Sequence, residues 1–194
     1  FCRERAVPAI YRRQPAPSDL PAIPAEGAQD PLLVRQVRRG LRRSEIGLVP
    51  GPHASLGLPA YVQATSPLRR YQDLVVHRQI AAVLAGTPTP YGIEQLQRIA
   101  ATTDAAEGDA RRAERAADDY WMLRFLEGQR ERELEARVVE VEPRTIVQLV
   151  ETLWEQPLGS LAAPVLGATL RTRIERVNPR AGLLVLRAVD GLVR

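Results

Sequence analysis

The chain has 194 residues, enough for one medium domain or one domain with a small satellite. Its apolar fraction of 45% and charged fraction of 26% are ordinary for a soluble globular protein. No apolar run approaches the roughly 20 residues that span a bilayer, which excludes a membrane helix. Cys2 is the single cysteine, so an intrachain disulfide and a cysteine-built zinc site are both excluded, which fits a reducing cytoplasm. The formal charge of +4 leans toward a polyanionic partner. All 27 basic residues are arginine, which either reflects the codon usage of a GC-rich genome or favours bidentate phosphate contact. Phe1 is not an initiator, and Phe1-Cys2-Arg3-Glu4-Arg5 has neither region of a signal peptide, so the chain reads as one entered partway through.

Residues 1 to about 60 hold Pro8, Pro15, Pro17, Pro21, Pro24, Pro31, Pro50, Pro52 and Pro59. Proline at this density predicts extended and turn structure lying over another surface. One helix fits within it, from about Pro31 to Arg43. Leu32, Leu33, Gln36, Val37 and Leu41 form one side, and Arg35, Arg38, Arg39, Arg42 and Arg43 crowd the rest. That arginine run is either a solvated face or a phosphate-facing one.

A second helix is predicted from Ser66 as N-cap and Pro67 as first helical residue, with Leu68, Tyr71, Leu74, Val75 and Val83 at helical spacing. The Gly86 to Pro90 run stops it. Two more helices are predicted, from about Ile93 to Ala101 and from Asp104 to near Gly128. The second has a capping-box-like Asp104/Glu107 pair and an inner stripe of Ala110, Ala113, Ala117, Trp121 and Phe125.

From about Glu131 the period changes to alternation. Val139 and Val141, then Thr145 to Val150, and a hairpin of Leu170–Val177 and Leu183–Val189 across Asn178 to Gly182 predict about five short strands. A small closed barrel of the OB type suits that length.

The start of the Ser66 helix carries the chemistry. A first helical turn offers unpaired N–H groups and a positive dipole end, where cations are unfavourable. Arg69 and Arg70 nevertheless stand there, an arrangement that suits a docked anion. The competing reading is an i,i+4 pair between Arg69 and Asp73. His77 is expected to bond its i−4 carboxylate, Asp73, and the local backbone, with a metal or catalytic role as the alternative. His53 has no evident partner.

The string from Tyr61 through Thr65-Ser66-Pro67-Leu68-Arg69-Arg70-Tyr71 to Asp73, His77 and Arg78 resembles the signature segment of the ribonuclease II (RNB) catalytic domain. Pro8-Ala9-Ile10-Tyr11-Arg12, Pro50-Gly51-Pro52-His53, Arg112-Ala113-Glu114-Arg115, Tyr120-Trp121 and Phe125-Leu126 agree in order. The resemblance implies an α+β chain: the C-terminal portion of an RNB catalytic domain over residues 1–130, then a five-stranded OB-type RNA-binding barrel over residues 131–194. It also implies a 3′-to-5′ hydrolytic exoribonuclease that acts on single-stranded RNA with magnesium and releases nucleoside 5′-monophosphates. Arg69 would stabilise charge at the scissile phosphate and Glu114 would belong to the RNA-holding active centre. Thr65, Ser66, Arg70 and Tyr61 would contact RNA. The family's metal-binding aspartates have no counterpart here, so no metal ligand is assigned. A monomeric cytoplasmic enzyme is expected, and a noncatalytic RNA-binding relative is the alternative.

Overall fold

A computed structural model describes residues 1–17, 30–159, 161 and 163–189. These form two compact units, Phe1–Ala110 and Arg111–Arg194. Pro21 and Pro24 of the expected extended stretch lie outside the described residues.

In the first unit, β1 (Tyr11–Arg13) pairs antiparallel with β2 (Glu45–Gly47). Strand alternation splits the segment before and within β1 between two apolar clusters. Cys2, Val7, Ala9 and Tyr11 pack with Val62, Ile80 and Val83, whereas Ile10 packs with Val75, Leu96 and Ala100. Helix α1 (Pro31–Gly40) starts at Pro31, as read, and the structure adds a cap, the Asp30 side chain accepting the Leu32 N–H. It stops at Gly40 rather than Arg43 and buries no residue completely.

Helix α2 runs from Tyr71 to Leu84. The expected start at Ser66 is therefore incorrect. Residues 67–69 form a turn closed by Arg69 and Arg70 N–H donation to the Ser66 carbonyl, and Arg70 is the cap residue. Of the expected apolar stripe, Val75 is buried, but Leu68 and Tyr71 are exposed; Val76 takes the inner place instead.

Helix α3 runs unbroken from Ile93 to Glu127, where two helices were expected. The Thr102 and Thr103 hydroxyls donate back to the Arg98 and Ile99 carbonyls, at 2.9 and 2.7 Å, so these residues are accommodated inside the helix. The predicted inner stripe is also overturned. Ala110, Ala113 and Ala117 are exposed, Trp121 is 66% exposed and Phe125 46%. The buried positions of α3 are Leu96 and Ala100 in the first unit and Leu123 and Leu126 in the second.

The second unit contains β3 (Glu133–Glu140), β4 (Ile146–Leu149), β5 (Glu155–Pro157), β6 (Thr169–Asn178) and β7 (Leu183–Ala188). They form one sheet in the order β5-β4-β3-β6-β7, antiparallel throughout, and a parallel bridge from Leu158 to Leu186 brings its two edges together. This is the strand order of an OB-type barrel. Leu134, Ala136, Val138, Val147, Leu149, Leu170, Ile174, Val177 and Leu186 fill it, joined by Leu123 and Leu126 of α3. A bulge between Val138 and Glu140 lets both Val138 and Val139 turn away from water. The β6–β7 turn needs a left-handed residue and has Gly182 at φ 63, while the Asn178 side chain accepts the Ala181 N–H.

Candidate functional site

The signature segment is strapped along α2 by side chains rather than continued as helix. Asp73, fully buried in the first turn of α2, is the centre of the strap. Its carboxylate accepts the Ser66 N–H at 2.8 Å. It also accepts the Arg70 guanidinium through Nε at 3.1 Å to each oxygen and through Nη2 at 2.7 Å. Arg70 Nη2 also donates to the Thr65 hydroxyl at 3.2 Å. The hydrogen bond to Asp73 raises the Arg70 pKa above its ordinary value; burial opposes this, and the charges of Asp73 and Glu107 reinforce it.

The helix N-terminus is thus occupied by the protein's own anion, Asp73. The competing reading, a pair between Arg69 and Asp73, is not formed; Arg70 pairs with Asp73 instead. His77 also differs from expectation: its Nε2 lies 2.6 Å from the Ala64 carbonyl, not on Asp73.

A second set of bonds lies beside the first. Gln72 Nε2 donates to Gln63 Oε1 at 3.3 Å and to Glu107 Oε1 at 2.8 Å, and Arg12 reaches Glu107 Oε2 at 3.3 Å. Glu107 does not serve as a helix cap; it joins β1 and α2 to α3. No sequence spacing marks it, since Arg12 and Glu107 are 95 positions apart.

The strap leaves Leu68 and Arg69 projecting from the turn. Arg69 is exposed, and its guanidinium has no partner among the described residues. Tyr61 is half-buried, its ring edge-on to that of His53 at 5.4 Å. Of the predicted residues in this unit, Thr65, Ser66 and Arg70 are brought together around Asp73, with Arg69 standing outward from the same turn. Glu114 lies on α3 in the second unit, exposed and without a partner among the described residues.

Among the described residues no three His, Cys, Asp or Glu side chains gather in a way that could hold a metal ion. The described residues therefore do not by themselves fit a magnesium site. No helix among the described residues is long and apolar enough to cross a membrane.

The chain is 44% identical over 128 residues to an uncharacterized ribonuclease of Synechocystis, an alignment covering 65% of this chain and 19% of that protein. It is 30% identical over 196 residues to the chloroplastic/mitochondrial ribonuclease II of Arabidopsis thaliana, covering 97% of this chain and 24% of that one. The chain thus spans 19% and 24% of the length of these relatives. The fold superposes on the Dss1 exoribonuclease of Candida glabrata with a TM-score of 0.80 at 22% identity, covering 98% of this chain and 26% of that one. It also superposes on RNase R of Mycoplasma genitalium, solved with double-stranded RNA, with a TM-score of 0.76 at 19% identity, covering 97% and 38%. Residues 17–86 match the RNB domain, and over that segment the chain belongs to the RNB-domain family.

Proposed function

We propose that this chain is part of a ribonuclease II-type exoribonuclease that hydrolyses single-stranded RNA from its 3′ end and releases nucleoside 5′-monophosphates. In this reading residues 1–130 are the C-terminal portion of the catalytic domain and residues 131–194 an RNA-binding barrel, in a monomeric cytoplasmic enzyme. The support comes from relatives named as ribonucleases and from one geometric observation. Arg69 offers an unpaired, exposed guanidinium on a turn that Asp73 and Arg70 hold fixed.

A guanidinium held this way is suited to the charge that builds on a phosphorus centre under attack. The turn is already ordered, so little reorganisation is needed when the substrate arrives. Arg70 and Ser66, engaged by Asp73, position the turn. The hydroxyl and backbone groups of Thr65 and Ser66, and the ring of Tyr61, would line the path of the RNA. Glu114 would belong to the RNA-holding centre of the intact enzyme. Magnesium would be the cofactor of the intact enzyme, with ligands that are not among the described residues.

The test is Arg69→Ala in the intact enzyme, with a labelled single-stranded oligonucleotide and magnesium. A fall in kcat of about a hundredfold or more, with little change in RNA affinity, is the expected result for a group acting in the transition state. A rate within a factor of about two of the parent would refute that role, and a loss confined to affinity would make Arg69 a phosphate clamp.

A further inference from the structure

The set Arg12, Glu107, Gln72 and Gln63 fixes which way each amide faces. Glu107 is a carboxylate that only accepts, and Arg12 holds its Oε2 at 3.3 Å. Gln72 must therefore turn its NH2 group toward Glu107 Oε1, at 2.8 Å. The same NH2 group meets Gln63 at 3.3 Å, so Gln63 must present its oxygen there. The NH2 group of Gln63 is left over: the residue is half-buried, and its Nε2 has no partner among the described residues.

A tie made only for stability would be built differently. Gln72 is 3% exposed, and its Oε1 is buried with no partner among the described residues. Buried polar groups are rarely left unpaired, and this one is orphaned because the amide is turned toward two acceptors.

Thr65 repeats the pattern two positions on. Its hydroxyl oxygen accepts Arg70 Nη2 at 3.2 Å, and the hydroxyl proton has no acceptor among the described residues. Gln72 and Arg70, two positions apart at the start of α2, thus fill the oxygens of Gln63 and Thr65. Val62 packs into the apolar cluster of Cys2, Val7, Ala9 and Tyr11, which holds the same segment. What the side chains of Gln63 and Thr65 still offer is donors, ahead of Arg69, which is itself donor-only.

We propose that Gln63 is a further substrate-contacting residue, its amide N–H donating to a non-bridging phosphate oxygen of the RNA strand, an inference that rests on the ribonuclease reading above. Glutamine side chains are ordinary phosphate donors. A ribose 2′-hydroxyl both donates and accepts, and the Gln63 oxygen is not free to accept from it; a phosphate oxygen needs only a donor.

The test uses the intact enzyme and a labelled single-stranded oligoribonucleotide, with affinity read by anisotropy under chelator and turnover read with magnesium. Gln63→Leu should weaken affinity about tenfold, the scale of one hydrogen bond to a charged group, with kcat within a factor of about two. Gln63→Glu keeps the oxygen that Gln72 needs but sets a carboxylate against phosphate, so it should bind more weakly still; it carries the test if Gln63→Leu does not fold. Oligonucleotides with a single neutral methylphosphonate, moved along the strand, should reveal one position where the parent loses affinity and Gln63→Leu loses nothing further. Single 2′-deoxy substitutions should weaken both proteins equally. Unchanged affinity in both variants, or a lowered urea midpoint with affinity intact, would overturn the proposal, as would coupling to a 2′-deoxy position in place of a phosphate. If Arg69→Ala still loses turnover in those cases, the ribonuclease reading survives. An unaltered enzyme that neither binds nor cleaves the RNA would remove that reading and this proposal with it.

Discussion

The buried carboxylate of Asp73 joins the Arg70 guanidinium, at 2.7 Å, to the backbone N–H of Ser66, at 2.8 Å. Two functions meet in this one group: it ties Ser66 and Arg70 of the turn together, and it fixes the base from which Arg69 projects. Removing it leaves Arg70, with 18% of its side chain exposed, short of its main partner. Asp73→Ala should therefore destabilise the first unit by about 3 kcal/mol, the lower end for a broken buried pair because Arg70 keeps some access to water. Urea unfolding followed by far-UV circular dichroism measures this. Trp121 and Trp154, the chain's two tryptophans, both lie in the second unit, so their fluorescence serves as an internal reference. A loss below about 1 kcal/mol would contradict the assigned role.

Gln79 gives a second prediction. It is fully buried, donates to the Pro8 and Tyr91 carbonyls at 2.9 and 3.0 Å, and accepts the Tyr91 N–H at 3.0 Å. Gln79→Leu keeps the volume but strands three backbone groups, each costing about 1–3 kcal/mol. A destabilisation of roughly 3 kcal/mol or more is expected, together with loss of hydrogen-exchange protection at the Tyr91 amide. Retained protection there would mean that water replaces the amide without penalty.

The same cluster sets a pH dependence. Burial pushes the Cys2 thiol above its ordinary value of 9.0, and burial together with the nearby Cys2 pushes the Tyr11 phenol above 10.0. Both groups are neutral when protonated, and the unfolded chain gives up their protons first as the pH rises. Their contribution to stability is therefore complete below pH 9 and declines as the pH passes 9.0 and then 10.0. Urea titrations between pH 8 and 11 should show the first unit weakening in that window. Cys2→Ser should remove the earlier part of the decline; an unaltered profile in that variant would exclude the thiol as its source.

The sequence made some of this legible and hid the rest for physical reasons. The start of α1 at Pro31, the alternation of β6 and β7 and the Asn178–Gly182 turn depend on neighbours within a few positions, and they stand where the pattern put them. The Ser66 start failed because Ser-Pro is a good local helix start that a tertiary demand overrode: Asp73 takes the Ser66 N–H for itself. Glu107 was misread because its partners, Arg12 and Gln72, are brought to it only by the fold. Arg69 was read as a cation in the first turn of a helix; it stands instead on the turn before α2, and its setting could not be read because the neighbouring Arg70 takes the carboxylate.

The α3 stripe yields the last prediction, because sequence and structure assign opposite faces. Helical spacing joins Ala110, Ala113, Ala117, Trp121 and Phe125, yet Leu123 and Leu126 are the residues within the barrel core, each 1% exposed. Their positions three apart put both on one side of the last helical turns, so this end of α3 is part of the barrel's own packing. Leu123→Ala and Leu126→Ala should each cost about 2–5 kcal/mol, the range for a leucine removed from a filled core. Trp121→Ala, at a position that makes no contribution to that core, should stay within about 0.5 kcal/mol. Trp154 packs against the barrel core and reports its unfolding in all three variants. The reverse ranking, with Trp121→Ala the most damaging, would restore the face that the helical spacing alone predicts.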